Sequence, residues 1–237
     1  MLDAEIPIKA VPAAAPPACN RTKAKHQITP RGGALGPRAA LAALTSALSN
    51  IMLRYVISMR LNEAAASGLG YQPFAAIPGL DDVDAGELAT RMAAGGLARD
   101  ELGGLIIPGL SFKVPDFAEL TYRETQRNSW HLDDHPAVHV EVDDEGGPRI
   151  SHEHQLHMLK QGILLSRLVL VLAAGLPDRP PLCCITSAND TNGVFRFHQL
   201  RPGETWLQGD LDLYAQEMLI VVESRPTGQG GGTSQPA

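Results

Sequence analysis

The clearest hydrophobic pattern in the chain is a long segment in its second half that is apolar on all sides. Ser151 precedes it, apolar residues dominate from Ile163 to Ala174, and Gly175 follows. Serine is a favoured N-cap and glycine a favoured stop, so the pattern predicts a central, buried helix that ends near Ala174. A switch to a strand near Arg167 is the alternative. The apolar run is shorter than the roughly 20 residues that a membrane helix needs, so we expect no membrane span.

Strand patterns flank this helix on both sides. Residues 137–143 alternate strictly between valines and polar residues, which predicts a half-buried strand. After the helix, residues 182–187 and 194–200 flank a hairpin loop at 189–193, and residues 217–223 form a further apolar segment. Together these segments predict an antiparallel meander.

The first third of the chain has helical periodicity. Apolar residues at spacings of three and four predict an amphipathic helix over residues 37–66, with Leu41, Leu44, Leu48, Ile51 and Tyr55 along its stripe. Residues 84–105 predict a second helical stretch, which Gly95 and Gly96 divide into two short helices. The pair resembles a helix-turn-helix, but acidic residues outnumber basic ones across it, so we do not expect it to bind DNA.

These patterns predict an α+β fold, in which an antiparallel sheet of about four strands packs on one or two long helices after an N-terminal helical section. We expect one domain over residues 37–225, helical over 37–105 and sheet-rich over 131–225. Residues 1–36 are rich in Ala, Pro and Gly without periodicity, and residues 226–237 are rich in Gly. Both compositions predict disordered termini.

Composition narrows the function classes. The net charge of −6 and the pI near 5.7 argue against a general nucleic-acid binder. The three cysteines are an odd number, and Cys183 and Cys184 are adjacent, which argues against a secreted disulfide framework.

With acidic residues where a signal peptide needs basic ones, we expect a cytoplasmic protein. The Ala-, Arg- and Gly-rich, Lys-poor composition is typical of a GC-rich bacterial coding sequence.

The most unusual feature is a cluster of histidines interleaved with acidic residues. Of the eight histidines, those within residues 131–157 are His131, His135, His139, His152, His154 and His157. His139 and Glu141 share one face of the predicted strand, and His154 and His157 lie one turn apart on the predicted helix.

A short turn joins that strand to that helix, so the two could pack together. Imidazole and carboxylate are ligands that zinc, iron and manganese prefer. We therefore predict a divalent-metal site formed by His139, Glu141, His154 and His157. The alternatives are the solvated face of an edge strand and a pH-sensitive surface.

Another candidate is a thiol–imidazole pair of Cys184 and His198, which lie on the two strands of the predicted hairpin. A buried strand cysteine is the alternative. The chain contains no nucleophile elbow and no phosphate-binding glycine loop. Cofactor binding beyond a possible metal is therefore not expected.

Two functions follow from these observations. The first is a non-enzymatic protein that works through contacts with another protein, as an adaptor, an immunity-type inhibitor or a subunit of an assembly. A homo-oligomer is the alternative to a different partner. The second is a metal-binding protein or metal-dependent hydrolase that uses the cluster at residues 131–157.

Overall fold

The computed structural model describes residues 53–114 and 119–227 and has the predicted α+β composition. Its strands are β1 (Tyr55–Leu61), β2 (Ala98–Arg99), β3 (Leu105–Ile106), β4 (Ser129–His131), β5 (Val140–Val142), β6 (Pro148–Ile150), β7 (Leu182–Ala188), β8 (Gly193–Gln199) and β9 (Met218–Pro226). Its helices are α1 (Glu63–Leu69), α2 (Gly86–Gly95), α3 (Leu120–Arg127) and α4 (His152–Ala174), with a short 3₁₀ turn at Leu211–Leu213.

The main sheet has five antiparallel strands in the order β1-β9-β7-β8-β4. The β7–β8 hairpin is confirmed, with Ala188 paired to Gly193 across its loop. The predicted meander is wrong, because β9 pairs with β7 and not with β8. Pro226, predicted as the start of the tail, is the last residue of β9.

Strand β1 corrects the prediction of a helix over residues 37–66. Tyr55–Leu61 is an edge strand paired with β9. Along it Ile57, Met59 and Leu61 pack against the main core, while Val56 and Arg60 are exposed. This period of two competes in the sequence with a helical stripe, and pairing with β9 decides between them. The predicted leader, the part of the helix before residue 53 and the tail after residue 227 lie outside the described residues.

Helix α4 is the central buried element, as predicted, and it stays helical through Arg167. The Ser151 hydroxyl caps it by accepting a hydrogen bond from the His154 amide at 3.3 Å. It packs across one face of the main sheet. Among the described residues α4 is the one helix long and apolar enough to cross a membrane, and 67% of its most apolar window is buried inside the protein. That burial matches the predicted core helix.

The opposite face of the main sheet carries a second, smaller core. Cys183, Ile185, Leu219 and Val221 project from β7 and β9 on this side. The segment that contains Trp206 and the 3₁₀ turn covers them. The central strands are therefore buried on both faces, which explains their near-continuous apolar sequence.

Asn62 ties β1 to this second layer. It is 1% exposed, and its side-chain oxygen accepts hydrogen bonds from the amides of Ala65 and Leu219, each at 3.0 Å. Its side-chain nitrogen donates to the carbonyls of Glu217, at 2.7 Å, and Tyr214, at 3.3 Å. One residue therefore caps α1 and fixes the entry to β9.

Three further predictions need correction. In the stretch 84–105 only α2 is helical, and β2 and β3 form a hairpin after it, so the helix-turn-helix is wrong. Helix α3 is not among the predicted elements, because residues 106–130 show no regular hydrophobic period and contain Pro108 and Pro115. The half-buried strand over 137–143 is wrong in its burial, because β5 pairs only with β6 and Val142 is 73% exposed. Within the described residues this hairpin lies outside the main sheet, and Ile150 at the end of β6 is the residue of the pair that packs into the core.

Candidate functional site

A cavity of about 650 Å³ opens between the start of α2, the loop after β4 and the middle of α4. Aromatic and aliphatic side chains form much of its wall, namely Leu88, Phe112, Trp130, Leu132 and Leu165. Polar groups lie among them, namely Asp84, Glu87, Arg91, His131, Asp134, His135 and Gln161. An apolar cavity of this size with a few polar groups is typical of small-molecule sites.

The first turn of α2 is built to receive His135. An Asp84 carboxylate oxygen accepts a hydrogen bond from the Gly86 amide at 2.9 Å. Gly86 has φ of 73°, and a Cβ at this position would lie 2.5 Å from Cδ2 of His135. Glycine is therefore required both by the backbone conformation and by the close imidazole.

Trp130 is the largest apolar group of the cavity wall. Its indole stacks on Phe195 and Phe197 of β8, with ring centroids 6.3 and 6.0 Å away. It is 8% exposed, and its Nε1 has no hydrogen-bond partner among the described residues. A buried indole N–H normally has an acceptor, so this donor is unusual.

Gln161 supplies a matching unpartnered acceptor. It is 2% exposed on α4, and its amide nitrogen donates to the Asp84 carbonyl at 3.3 Å. Its side-chain oxygen is buried and has no partner among the described residues. A glutamine in a run of buried apolar residues is costly unless its polar atoms are satisfied.

The charged groups of the cavity lie at its exposed rim. Glu87, Arg91 and Asp134 are exposed, and none of them forms a hydrogen bond or ion pair with another described residue. Glu87 and Arg91 are four residues apart on α2 and share one face. Carboxylates outnumber the guanidinium, so the rim has an excess of negative charge.

His135 and His157 form a close pair beside the cavity. Their ring centroids are 5.9 Å apart. Burial lowers the pKa of both imidazoles, and the neighbouring His135 lowers the pKa of His157 further. His131 behaves oppositely, since its hydrogen bond with Asp133, at 3.3 Å, raises its pKa.

The residues of the predicted metal site are divided between two places. His139 and His154 approach each other, with ring centroids 6.4 Å apart, while His157 lies against His135. Glu141 is exposed on β5. Across residues 53–114 and 119–227, no group of three His, Cys, Asp or Glu side chains is placed to hold a metal ion.

The Cys184–His198 pair is wrong. Cys184 lies opposite Phe197 and faces α4, whereas Cys183 lies opposite His198 on the other face of the sheet. Burial raises the pKa of Cys184 to about 12 and the pKa of Cys183 well above its usual value. Burial also lowers the pKa of His198. Both thiols are therefore protonated at neutral pH and poor nucleophiles.

Glu124 is the most deeply buried carboxylate of the described residues, but it is fully occupied. It is 1% exposed, and one oxygen accepts from the Leu105 amide at 2.5 Å while the other accepts from the Gln199 amide at 2.7 Å. Arg201 donates to both oxygens, at 2.7 and 2.9 Å. This bidentate pair joins α3, β3 and β8 and leaves no lone pair for a reaction.

Sequence reasoning identified the histidines but missed Trp130 and Gln161, which form the cavity wall. The available signal was weak. Trp130 is one of two tryptophans in the chain and ends an irregular stretch, and Gln161 interrupts an apolar helix. Neither fact reveals that β4 and α4 converge, because that depends on tertiary packing.

Comparison with known proteins gives no family for this chain. No family model, no curated protein and no solved structure matches the chain.

Proposed function

We propose that the protein is a binding protein that holds a small organic molecule in the cavity between α2 and α4. The observation that carries this proposal is a pair of buried, unpartnered polar atoms, Trp130 Nε1 and Gln161 Oε1, on residues that line a cavity of about 650 Å³ with a largely apolar wall and a charged rim. Leaving such atoms unsatisfied costs about 1–3 kcal/mol each. Retaining them is understandable if a ligand or its bound water pairs with them.

The test is ligand-observed NMR with a library of small organic molecules. Ala137 is exposed at the cavity wall, so Ala137→Phe places a bulky ring there without disturbing the core. Ala64→Phe is the matched control, because Ala64 is exposed on α1 and does not line the cavity. We expect molecules that bind the wild type and the control but not Ala137→Phe. Binding that survives in Ala137→Phe, or no binding to the wild type, would contradict the proposal.

Metal binding is the second candidate, and the two histidine pairs favour it. The ring centroids of His139 and His154 lie 6.4 Å apart and those of His135 and His157 lie 5.9 Å apart, and imidazole is a preferred ligand of zinc. Two ligands alone bind weakly, so water or another side chain must complete the coordination.

The metal hypothesis is tested by elemental analysis of protein purified without a histidine tag. Near-stoichiometric zinc, iron or manganese that is lost in a His139→Ala/His157→Ala variant would support it. If neither protein contains metal and both are equally stable, the predicted set of His139, Glu141, His154 and His157 is not a metal site.

The sequence-based expectation of a protein partner stays a prediction. Val142 and Leu213 are exposed apolar side chains, at 73% and 64%. Isolated apolar residues at the surface are common and do not identify a partner. The cavity is the more specific feature, and the proposal therefore rests on it.

A further inference from the structure

We infer that the ligand of this cavity is an organic cation, an amine that carries N–H donors on an aromatic or aliphatic body. The inference rests on the proposed function and specifies the ligand class of the same site. Three features of the cavity support it: the sign of its charge, the unpaired acceptor in its wall and its apolar lining.

The charge of the lining favours a cation. Three carboxylates line the cavity, those of Asp84, Glu87 and Asp134, against the single guanidinium of Arg91. Asp84 is partly compensated by the Gly86 amide at the start of α2, and Arg91 offsets Glu87 one helical turn away. Asp134 forms no ion pair with a described guanidinium or ammonium group; it lies near His131, whose pKa it helps to raise, and it leaves the rim with net negative charge while that imidazole is neutral.

The buried acceptor in the wall requires a donor. The amide nitrogen of Gln161 is engaged by the Asp84 carbonyl, so its oxygen is the end that lacks a partner. An ammonium or a secondary amine can donate to that oxygen or to a water bound to it. A carboxylate ligand could accept from Trp130 Nε1, but it cannot donate to the Gln161 oxygen, and the carboxylates of the lining would repel it.

The apolar lining determines the rest of the ligand. The ring of Phe112 is 52% exposed at the cavity, and Trp130 and Leu165 lie in the wall. Aromatic faces attract cations through their quadrupole and also pack against apolar ligand groups. A cation with a small, fully hydrated body would leave this surface unused.

Three probes with the same naphthyl group separate charge from shape. They are 2-(1-naphthyl)ethylamine, 2-(1-naphthyl)ethanol and 3-(1-naphthyl)propanoate. Because naphthyl fluorescence overlaps that of tryptophan, binding is measured by calorimetry and by ¹H–¹⁵N spectra of the indole N–H groups. Trp206→Phe assigns the indole signals, since Trp206 contacts Tyr122 on the other side of the sheet and Trp130 alone lines the cavity. We expect the amine to bind about tenfold tighter than the alcohol and to shift the Trp130 signal.

Variants that remove one charge test whether the exposed charged residues at the rim of the cavity cause the preference for the amine. Glu87→Gln and Asp134→Asn should each weaken amine binding about two- to fivefold and leave alcohol binding unchanged, because exposed charge pairs contribute modestly. Arg91→Gln should strengthen amine binding. Glu101→Gln removes an exposed carboxylate that does not line the cavity and should change neither.

The outcomes distinguish this inference from the proposed function. If the alcohol or the propanoate binds as tightly as the amine and shifts the Trp130 signal, the cavity binds ligands but the cation inference is wrong. If no probe binds and the library screen also finds no ligand, the proposed function fails and the inference fails with it. Preferential amine binding that Glu87→Gln and Asp134→Asn each weaken, while alcohol binding is unchanged, supports both.

Discussion

Glu124 shows how one side chain can hold three elements together. Its carboxylate accepts backbone amides from β3 and β8 and a bidentate guanidinium from Arg201. Nearby Asp100 accepts from Arg123 at 2.7 Å and also from Arg127. Helix α3 is therefore anchored largely by charged groups, which explains why hydrophobic periodicity did not reveal it.

Glu124→Gln should lower the free energy of unfolding by about 3 kcal/mol, because it removes the buried charge that pairs with the half-buried Arg201. Urea denaturation followed by circular dichroism measures the change. Glu101→Gln, at an exposed position, should change stability by less than about 0.5 kcal/mol. A similar small effect of Glu124→Gln would mean that the amide replaces the carboxylate without loss.

The candidate site shows what can be read from single residues. The concentration of histidines at 131–157 was visible, and the structure brings four of them together in two pairs. The cavity was not visible, because its wall combines Trp130 of β4, Gln161 of α4 and the first turn of α2. Residues so distant in sequence reveal a common site only when their elements are packed.

At the scale of the elements, α4 approaches β7 closely at Gly162. A Cβ added at Gly162 would lie 2.1 Å from Oγ1 and 2.7 Å from Cβ of Thr186. Real Cβ atoms do not approach so closely, so glycine sets the distance between helix and sheet. Alanine has the higher helix propensity, yet it cannot be accommodated here without a shift of the helix.

Gly162→Ala should therefore destabilise the fold by about 1–3 kcal/mol, as overpacked cores do. Thermal unfolding measures the loss. Gly209→Ala is the control, since a Cβ at this exposed glycine would meet no atom within 4 Å and should cost little. A Gly162→Ala/Thr186→Gly variant, which removes the opposing side chain, should recover part of the loss. If the double variant is no more stable than Gly162→Ala, the contact with Thr186 is not the cause of the lost stability.

The elements that the sequence predicted correctly are those whose local signals agree with their packing. Helix α4 has a serine cap and a glycine stop, and the β7–β8 hairpin has a loop rich in Asn and Gly. Strand β1 was misassigned because its apolar residues also extend a helical stripe, and only pairing with β9 resolves the ambiguity. Short elements such as β4 and α3 carry too few residues to establish a period.

For the whole molecule, the histidines predict a loss of stability in mild acid. Burial lowers the pKa of His135, His157 and His198 below the unfolded value near 6.5. The unfolded chain therefore binds more protons below that pH, and the free energy of unfolding falls as the pH falls from about 7. The hydrogen bond of His131 with Asp133 acts in the opposite direction, since it raises a pKa.

Urea denaturation between pH 7.5 and 5.5 tests this balance. His157→Gln should lessen the loss of stability on acidification, because it removes a histidine that the folded state keeps neutral. His131→Asn should increase the loss, because the stabilisation that protonated His131 contributes at low pH disappears. If the free energy of unfolding depends on pH equally in the wild type and both variants, these histidines do not cause the acid sensitivity.

The position of β9 between β1 and β7 has a consequence for how the chain reaches this state. The hydrogen bond from the Leu219 amide to Asn62 joins residues 157 positions apart, and the described strands offer β1 no other neighbour. During synthesis β1 stays unpaired until β9 has been made. The β7–β8 hairpin needs no such distant partner and can form before β9. Closing so long a loop is slow, and an apolar strand left open meanwhile can pair with another chain. The yield of native protein on refolding should therefore fall as the protein concentration rises, whereas the free energy of unfolding should depend little on concentration.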